Sequence, residues 1–144
     1  MQKLKNVFGF TFIELMVAVL IVGIVSAIAY PLYINSVEKA LGAKAVENLH
    51  CIRTALINFF VENTSYTNNL ATLQTYNQFS QNDGDWQYTV VVVNDPGPPK
   101  NYSFTITASR LVGRFINQTI TLTHPYKQAP TITYPGGFNH WPPV

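Results

Sequence analysis

Residues 15–30 read LMVAVLIVGIVSAIAY, a run without a charge in which only Gly23 and Ser26 are not apolar, placed directly after an acid, Glu14. A helix that crosses a bilayer needs roughly 20 mostly apolar residues. Residues 10–34 supply 20 apolar side chains out of 25, with Glu14 as the one charged residue. The preceding MQKLKNVFG is short and polar and carries Lys3 and Lys5 with no acid. Basic residues flank the cytoplasmic side of a span, so the expected topology is a single-pass anchor with its N-terminus inside. A cleaved secretory signal peptide is the competing reading, and Ala27-Ile28-Ala29 resembles its cleavage site. Glu14 opposes it, because an acid there costs about 2.5–3.5 kcal/mol on insertion scales. The apolar surface also continues past Ala29 through Tyr30, Leu32, Tyr33 and Ile34.

Behind this segment the chain is ordinary in apolar content but poor in charge. Residues 35–144 contain 44 apolar side chains out of 110, and charged residues make up 11 % of the whole chain. The usual soluble share is roughly 25 %. About 110 residues suffice for one small domain and not for two. A net charge of +2 is too small for a protein that holds nucleic acid by counterion release. The single cysteine, Cys51, excludes an intrachain disulfide framework and a cysteine-based zinc cluster.

The string Gly9-Phe10-Thr11-Phe12-Ile13-Glu14-Leu15-Met16 resembles the processing motif of type IV pilins and type II secretion pseudopilins. The resemblance is strong over about 25 residues and implies a membrane peptidase that cuts after Gly9, followed by methylation of the new N-terminal Phe10. Residues 1–9 would be the leader, and residues 10–34 a transmembrane helix that also drives polymerisation. Residues 35–144 would form a periplasmic domain. Pro31 falls where many family members carry a helix-bending proline. The resemblance further implies copies of itself, other pilins, the prepilin peptidase, an inner-membrane assembly platform and membrane lipid as partners. The location it implies is the inner membrane, then an extracellular pilus or a periplasmic pseudopilus.

Elementary chemistry gives the motif a reason. Glycine leaves the backbone at the cut open to close approach. A carboxylate inside a bilayer is a functional candidate by default, and no basic residue lies within one helical turn of Glu14. Cleavage would create an amine on Phe10, four positions away and so on the same helical face. That amine would pair with Glu14 of its own chain or of a neighbour and set the axial register between subunits. Losing Lys3 and Lys5 would also leave seven basic against seven acidic residues, suiting close packing among copies.

The apolar stripe Val37, Leu41, Ala45, Leu49, Ile52, Leu56, Phe59 and Phe60 extends the helix to about residue 61. Glu38, Lys39, Lys44, Glu47 and Arg53 fall mainly off it. The whole helix would be on the order of 80 Å long, with Pro31 and Gly42 as internal weak points. Residues 63–85 read as a polar loop with one helical turn near 70–73. Strands are expected at 86–94, 102–108 and 114–123 from their period of two, with a short fourth at 131–134. The expected fold is therefore α+β: a long N-terminal helix, its second half (35–62) amphipathic, packed on an antiparallel meander of three to four strands (86–134).

The last segment, 135–144, reads as a loop. It lacks the cysteine pair of many pilins, and no acid follows Asp95 to bind the calcium of many pseudopilins, so Phe138 and Trp141 are the expected packing anchors. His50, His124 and His140 are isolated, and no metal or cofactor is expected. Nothing assembles an acid, base and nucleophile, so no enzyme is expected. Arg110, Arg114 and Lys127 form at most a small basic patch, a weak case for a DNA-binding minor pilin. The remaining alternative to a pilus subunit is a pseudopilin of a type II secretion system.

Overall fold

A computed structural model of the chain describes residues 9–98, 100–137 and 141. Lys3, Lys5, Phe138 and His140 lie outside them. Helix α1, Phe12–Asn63, contains Pro31 in its interior and ends two residues beyond the expected limit. The chain divides into two compact units, Met1–Val37 and Glu38–Val144.

Among its described residues, the first unit buries none. Phe10 is 86 % exposed, and every described side chain through Tyr33 faces outward. The unit carries an 18-residue stretch of mean hydropathy 2.7, long and apolar enough to cross a membrane. An apolar surface of this extent is stable only against lipid or other apolar surfaces.

The second unit owns the core. From Glu38 onward, α1 buries Gly42, Ala45, Leu49, Ile52, Ala55 and Leu56, which recur at helical spacing along one face. That face meets a four-stranded antiparallel sheet of order β1-β2-β3-β4: β1 Trp86–Asp95, β2 Asn101–Arg110, β3 Thr119–His124 and β4 Thr131–Thr133. The α+β arrangement is the one expected. Trp86, Tyr88 and Val90, then Phe104, Ile106 and Ala108, then Ile120 and Leu122 point inward and close the core. Trp86 also donates its Nε1–H to the Leu41 carbonyl at 3.1 Å, tying the start of β1 to the helix. The opposite face alternates out of phase and is hydroxylated. Thr105 faces Thr123 and Thr123 faces Thr131, while Thr107 faces Thr121 and Thr121 faces Thr133.

Two details correct the sequence reading. The third strand starts at Thr119, not at residue 114. Gly113 and Asn117 hold φ of +88° and +67°, which L side chains rarely adopt, so Arg114 and Ile116 belong to a loop despite their alternation. Hydrogen bonds from Arg110 N–H to the Gln118 carbonyl (2.9 Å) and from Asn117 N–H to the Arg110 carbonyl (3.0 Å) close its base. Glu38, expected off the apolar stripe, is 6 % exposed because it faces a buried arginine.

The polar segment after α1 is held by aromatic anchors. Its helical turn α2, Leu70–Leu73, is capped by the Asn69 side chain and buries Leu73. Tyr66 packs edge-on to Phe104 and Tyr76 edge-on to Phe59. Trp141 is buried, as expected, edge-on to Trp86 at 5.0 Å and Phe115 at 5.2 Å. It lies directly on Gly42, where an added Cβ would overlap the indole. Gly42 thus serves close approach, a role that the sequence reading as a weak point missed.

His124 sits against the Phe104 ring at 5.0 Å, its Nδ1 buried without a hydrogen-bond partner among the described residues. Burial, helped by the charge of Arg53, holds its pKa below the ordinary value. A folded pKa below the unfolded one favours the neutral ring, so this contribution is present above about pH 6.5 and is lost as pH falls through the folded value. Thermal unfolding of the domain is expected to shift downward between about pH 7 and pH 5. His124→Gln should flatten that dependence, and an equal slope in both proteins would contradict it.

Candidate functional site

Thr11 is the last residue before α1, and Glu14 lies in the first turn. The Thr11 N–H donates to Glu14 Oε2 at 2.8 Å and the Thr11 hydroxyl to the same oxygen at 2.7 Å. The Glu14 N–H returns a bond to Thr11 Oγ1 at 3.3 Å, and the Leu15 N–H reaches the Thr11 carbonyl at 3.2 Å. This is a reciprocal capping box, which satisfies donors that the start of a helix leaves open. It also places the carboxylate at the positive end of the helix dipole. The other oxygen, Oε1, takes no hydrogen bond among the described residues. Phe10 precedes this cap and Gly9 lies open beside it, with nothing near the position of a Cβ.

Thr11 is the member that the sequence reading passed over, although T-x-x-E ahead of an apolar run is the signature of such a cap. Replacing an N-cap hydroxyl costs about 0.5–2 kcal/mol. Thr11→Val is expected to speed amide exchange in the first turn several-fold in detergent micelles while leaving the domain unchanged. Equal exchange rates would show the cap to be idle.

A second cluster of charges lies at the start of the domain. Arg110, 3 % exposed, places Nη2 at 3.4 Å from Glu38 Oε1 and Nη1 at 3.3 Å from Asp85 Oδ1. Its guanidinium carbon stands 5.4 Å from the centre of the Trp86 ring. Lys44 bridges Asp83 at 3.2 Å and Asp85 at 3.7 Å. Asp83 Oδ1 accepts from the Asp85 and Trp86 N–H groups and so shapes the turn into β1. This pairing corrects the reading of Arg110 as part of a basic surface patch. Arg114 and Lys127, the other two members, lie beyond opposite ends of β3. Cys51 is half-buried, and its carbonyl accepts from Asn77.

A family profile described as the prokaryotic N-terminal methylation motif matches residues 4–30. The chain is similar to the type IV major pilin protein PilA of Myxococcus xanthus, 42 % identical over 59 residues, covering 41 % of this chain and 27 % of the relative. It is also similar to type II secretion system core protein G of Vibrio cholerae, 35 % identical over 66 residues, covering 46 % of this chain and 45 % of the relative. The chain thus spans less than half the length of these curated relatives. No solved structure matches it significantly. With this motif at the head of an apolar helix whose second half packs on an antiparallel sheet, the chain is similar in its N-terminal segment to type IV pilins and type II secretion pseudopilins.

Proposed function

We propose that this protein is a structural subunit of a type IV pilus-like filament, held in the inner membrane by residues 10–34 until it is assembled. The reading rests above all on the first unit, an apolar helix that buries nothing of itself and carries one acid at its head. Hydrolysis of the Gly9–Phe10 bond and methylation of the new amine would leave a positive group beside Glu14. Oε2 is already engaged by Thr11, so the open Oε1 would receive the amine of its own chain or of the subunit alongside. Each incoming copy would be correctly seated only where that pair forms. The peptidase, an inner-membrane platform and other pilins are its partners in this reading. Pro31 is the place where the helix would bend during packing.

The similarity to core protein G supports one second reading, a pseudopilin that polymerises by the same head group inside a secretion machine. Both readings require the same mature N-terminus. Intact mass measurement on protein extracted from membranes is expected to give a chain that begins at N-methylated Phe10. A chain that begins at Tyr30, cut after Ala29, would overturn both.

A further inference from the structure

We infer that the outer edge of β1 is where two copies of this chain join, residues 89–93 of one pairing antiparallel with the same residues of the other. The contact is made by the domain alone and does not rest on the reading of residues 10–34 as an anchor.

The sheet ends on β1 at one side and on β4 at the other, and a sheet edge leaves backbone donors and acceptors open to another chain. β4 is protected in the usual ways, being three residues long and lying between Pro130 and Pro135. β1 runs for ten residues with no proline and no charge before Asp95. Its outer edge is covered only at the ends. The Tyr88 N–H donates to the Gln81 carbonyl at 3.0 Å, and the Asp83 N–H to the Trp86 carbonyl at 3.2 Å. At the far end the Asn94 side chain exchanges bonds of 2.8 and 2.7 Å with the Tyr66 backbone. Backbone groups alternate between the two edges of a strand, so Val90 and Val92 share the outward direction of the Tyr88 N–H. Among the described residues, neither their N–H groups nor their carbonyls find a partner on that side.

This gap is complementary to itself. Antiparallel pairing centred on Val91 sets Val90 of each copy against Val92 of the other, and each such pair exchanges both backbone bonds. On the outer face it sets Val91 against Val91 and Thr89 against Val93, β-branched neighbours of the kind that stabilise a sheet. A second copy therefore meets neither a like charge nor a proline along the seam. Val91 is 65 % exposed, so pairing covers apolar surface as well as backbone. With β4 blunted, each copy offers one such edge, and association closes at two copies. Stable interfaces bury about 1,200 Å² or more; a seam this short is weak, and cross-linking is the way to trap it.

The test uses the full chain in a Cys51→Ala background, in detergent micelles under mild oxidation. Val91→Cys would place two thiols in a pair without hydrogen bonds, their Cα atoms about 4.5 Å apart and within disulfide reach. It should form dimers several-fold faster than Val61→Cys, at a valine that is more exposed (76 %) but lies on α1. Thr89→Cys by itself should be as slow as Val61→Cys, because two copies of residue 89 would stand about 14 Å apart along the seam. A mixture of Thr89→Cys and Val93→Cys chains should cross-link fast, and adding Val91→Lys to both should slow it at least threefold by setting like charges opposite each other. Equal rates at 91 and 61 would overturn the inference, as would a fast reaction of Thr89→Cys with itself or a slow one in the mixture. Slow alkylation of the 91 thiol without cross-linking would mean that some other segment covers the edge, and would overturn it too.

Discussion

A Glu14→Val variant is expected to enter the membrane and to be cut after Gly9, yet to yield at least tenfold fewer filaments than the parent, measured as sheared polymer per cell. Valine removes the acid from the apolar run and makes the helix easier to insert, so membrane residence should not suffer. In the proposed filament it would leave the Phe10 amine as a charge in an apolar interior with no counter-charge. Breaking one partner of a buried ion pair costs about 3–5 kcal/mol, and every 1.4 kcal/mol is about tenfold in an equilibrium. Glu14→Gln separates capping from charge. A glutamine still serves the third helical position of a capping box, so the Thr11 bonds would survive while the ionic partner is lost. Gln should therefore resemble Val in filament yield and resemble the parent in amide exchange at the first turn. Parent-level filaments from either variant would exclude pairing with the amine as the source of register.

The second large effect is expected at Arg110. Arg110→Met would leave the Glu38 carboxylate buried, its Oε2 already without a partner and its Oε1 now deprived of one. The expected loss is about 3–5 kcal/mol. Because 1 kcal/mol moves the midpoint of a domain of roughly this size by about 4–8 °C, the full chain in detergent micelles should unfold at least ~12 °C lower by near-ultraviolet circular dichroism. The double variant Glu38→Leu with Arg110→Met should recover most of that loss, because apolar side chains of similar volume often replace a buried ion pair at little cost. Asp85 would remain, half-exposed and still bridged to Lys44, so it should not cancel the recovery. A double variant as unstable as the single one would mean that Arg110 acts through its stacking on Trp86 instead.

These two sites differ in how far the sequence disclosed them. Gly9, Phe10 and Glu14 fall within six consecutive residues, and an acid in an apolar run is conspicuous whatever the fold. Thr11 is equally local, but it carries no charge, and its role shows only in the backbone donors that a helix start leaves open. Glu38 and Arg110 are 72 residues apart, and only the meander brings the end of β2 back to the head of the domain helix. Helical periodicity assigned Glu38 to solvent because a stripe records apolar side chains and not a carboxylate matched by a distant cation. Strands β1 and β2 were legible because one side of each faces the core and the other faces water. The start of β3 was not, because the alternation of Arg114 and Ile116 continues through a turn that the backbone angles of Gly113 and Asn117 dictate.

The threonines on the outer side of β2, β3 and β4 have a consequence of their own. Five charged residues of the domain, Glu38, Lys44, Asp83, Asp85 and Arg110, pair with one another near its start, and the broad wall away from the helix carries hydroxyls and methyls. Many copies stacked along a fibre would present water with an uncharged, wettable coat. Such a coat neither repels its neighbours at low ionic strength nor collapses onto them when salt is added.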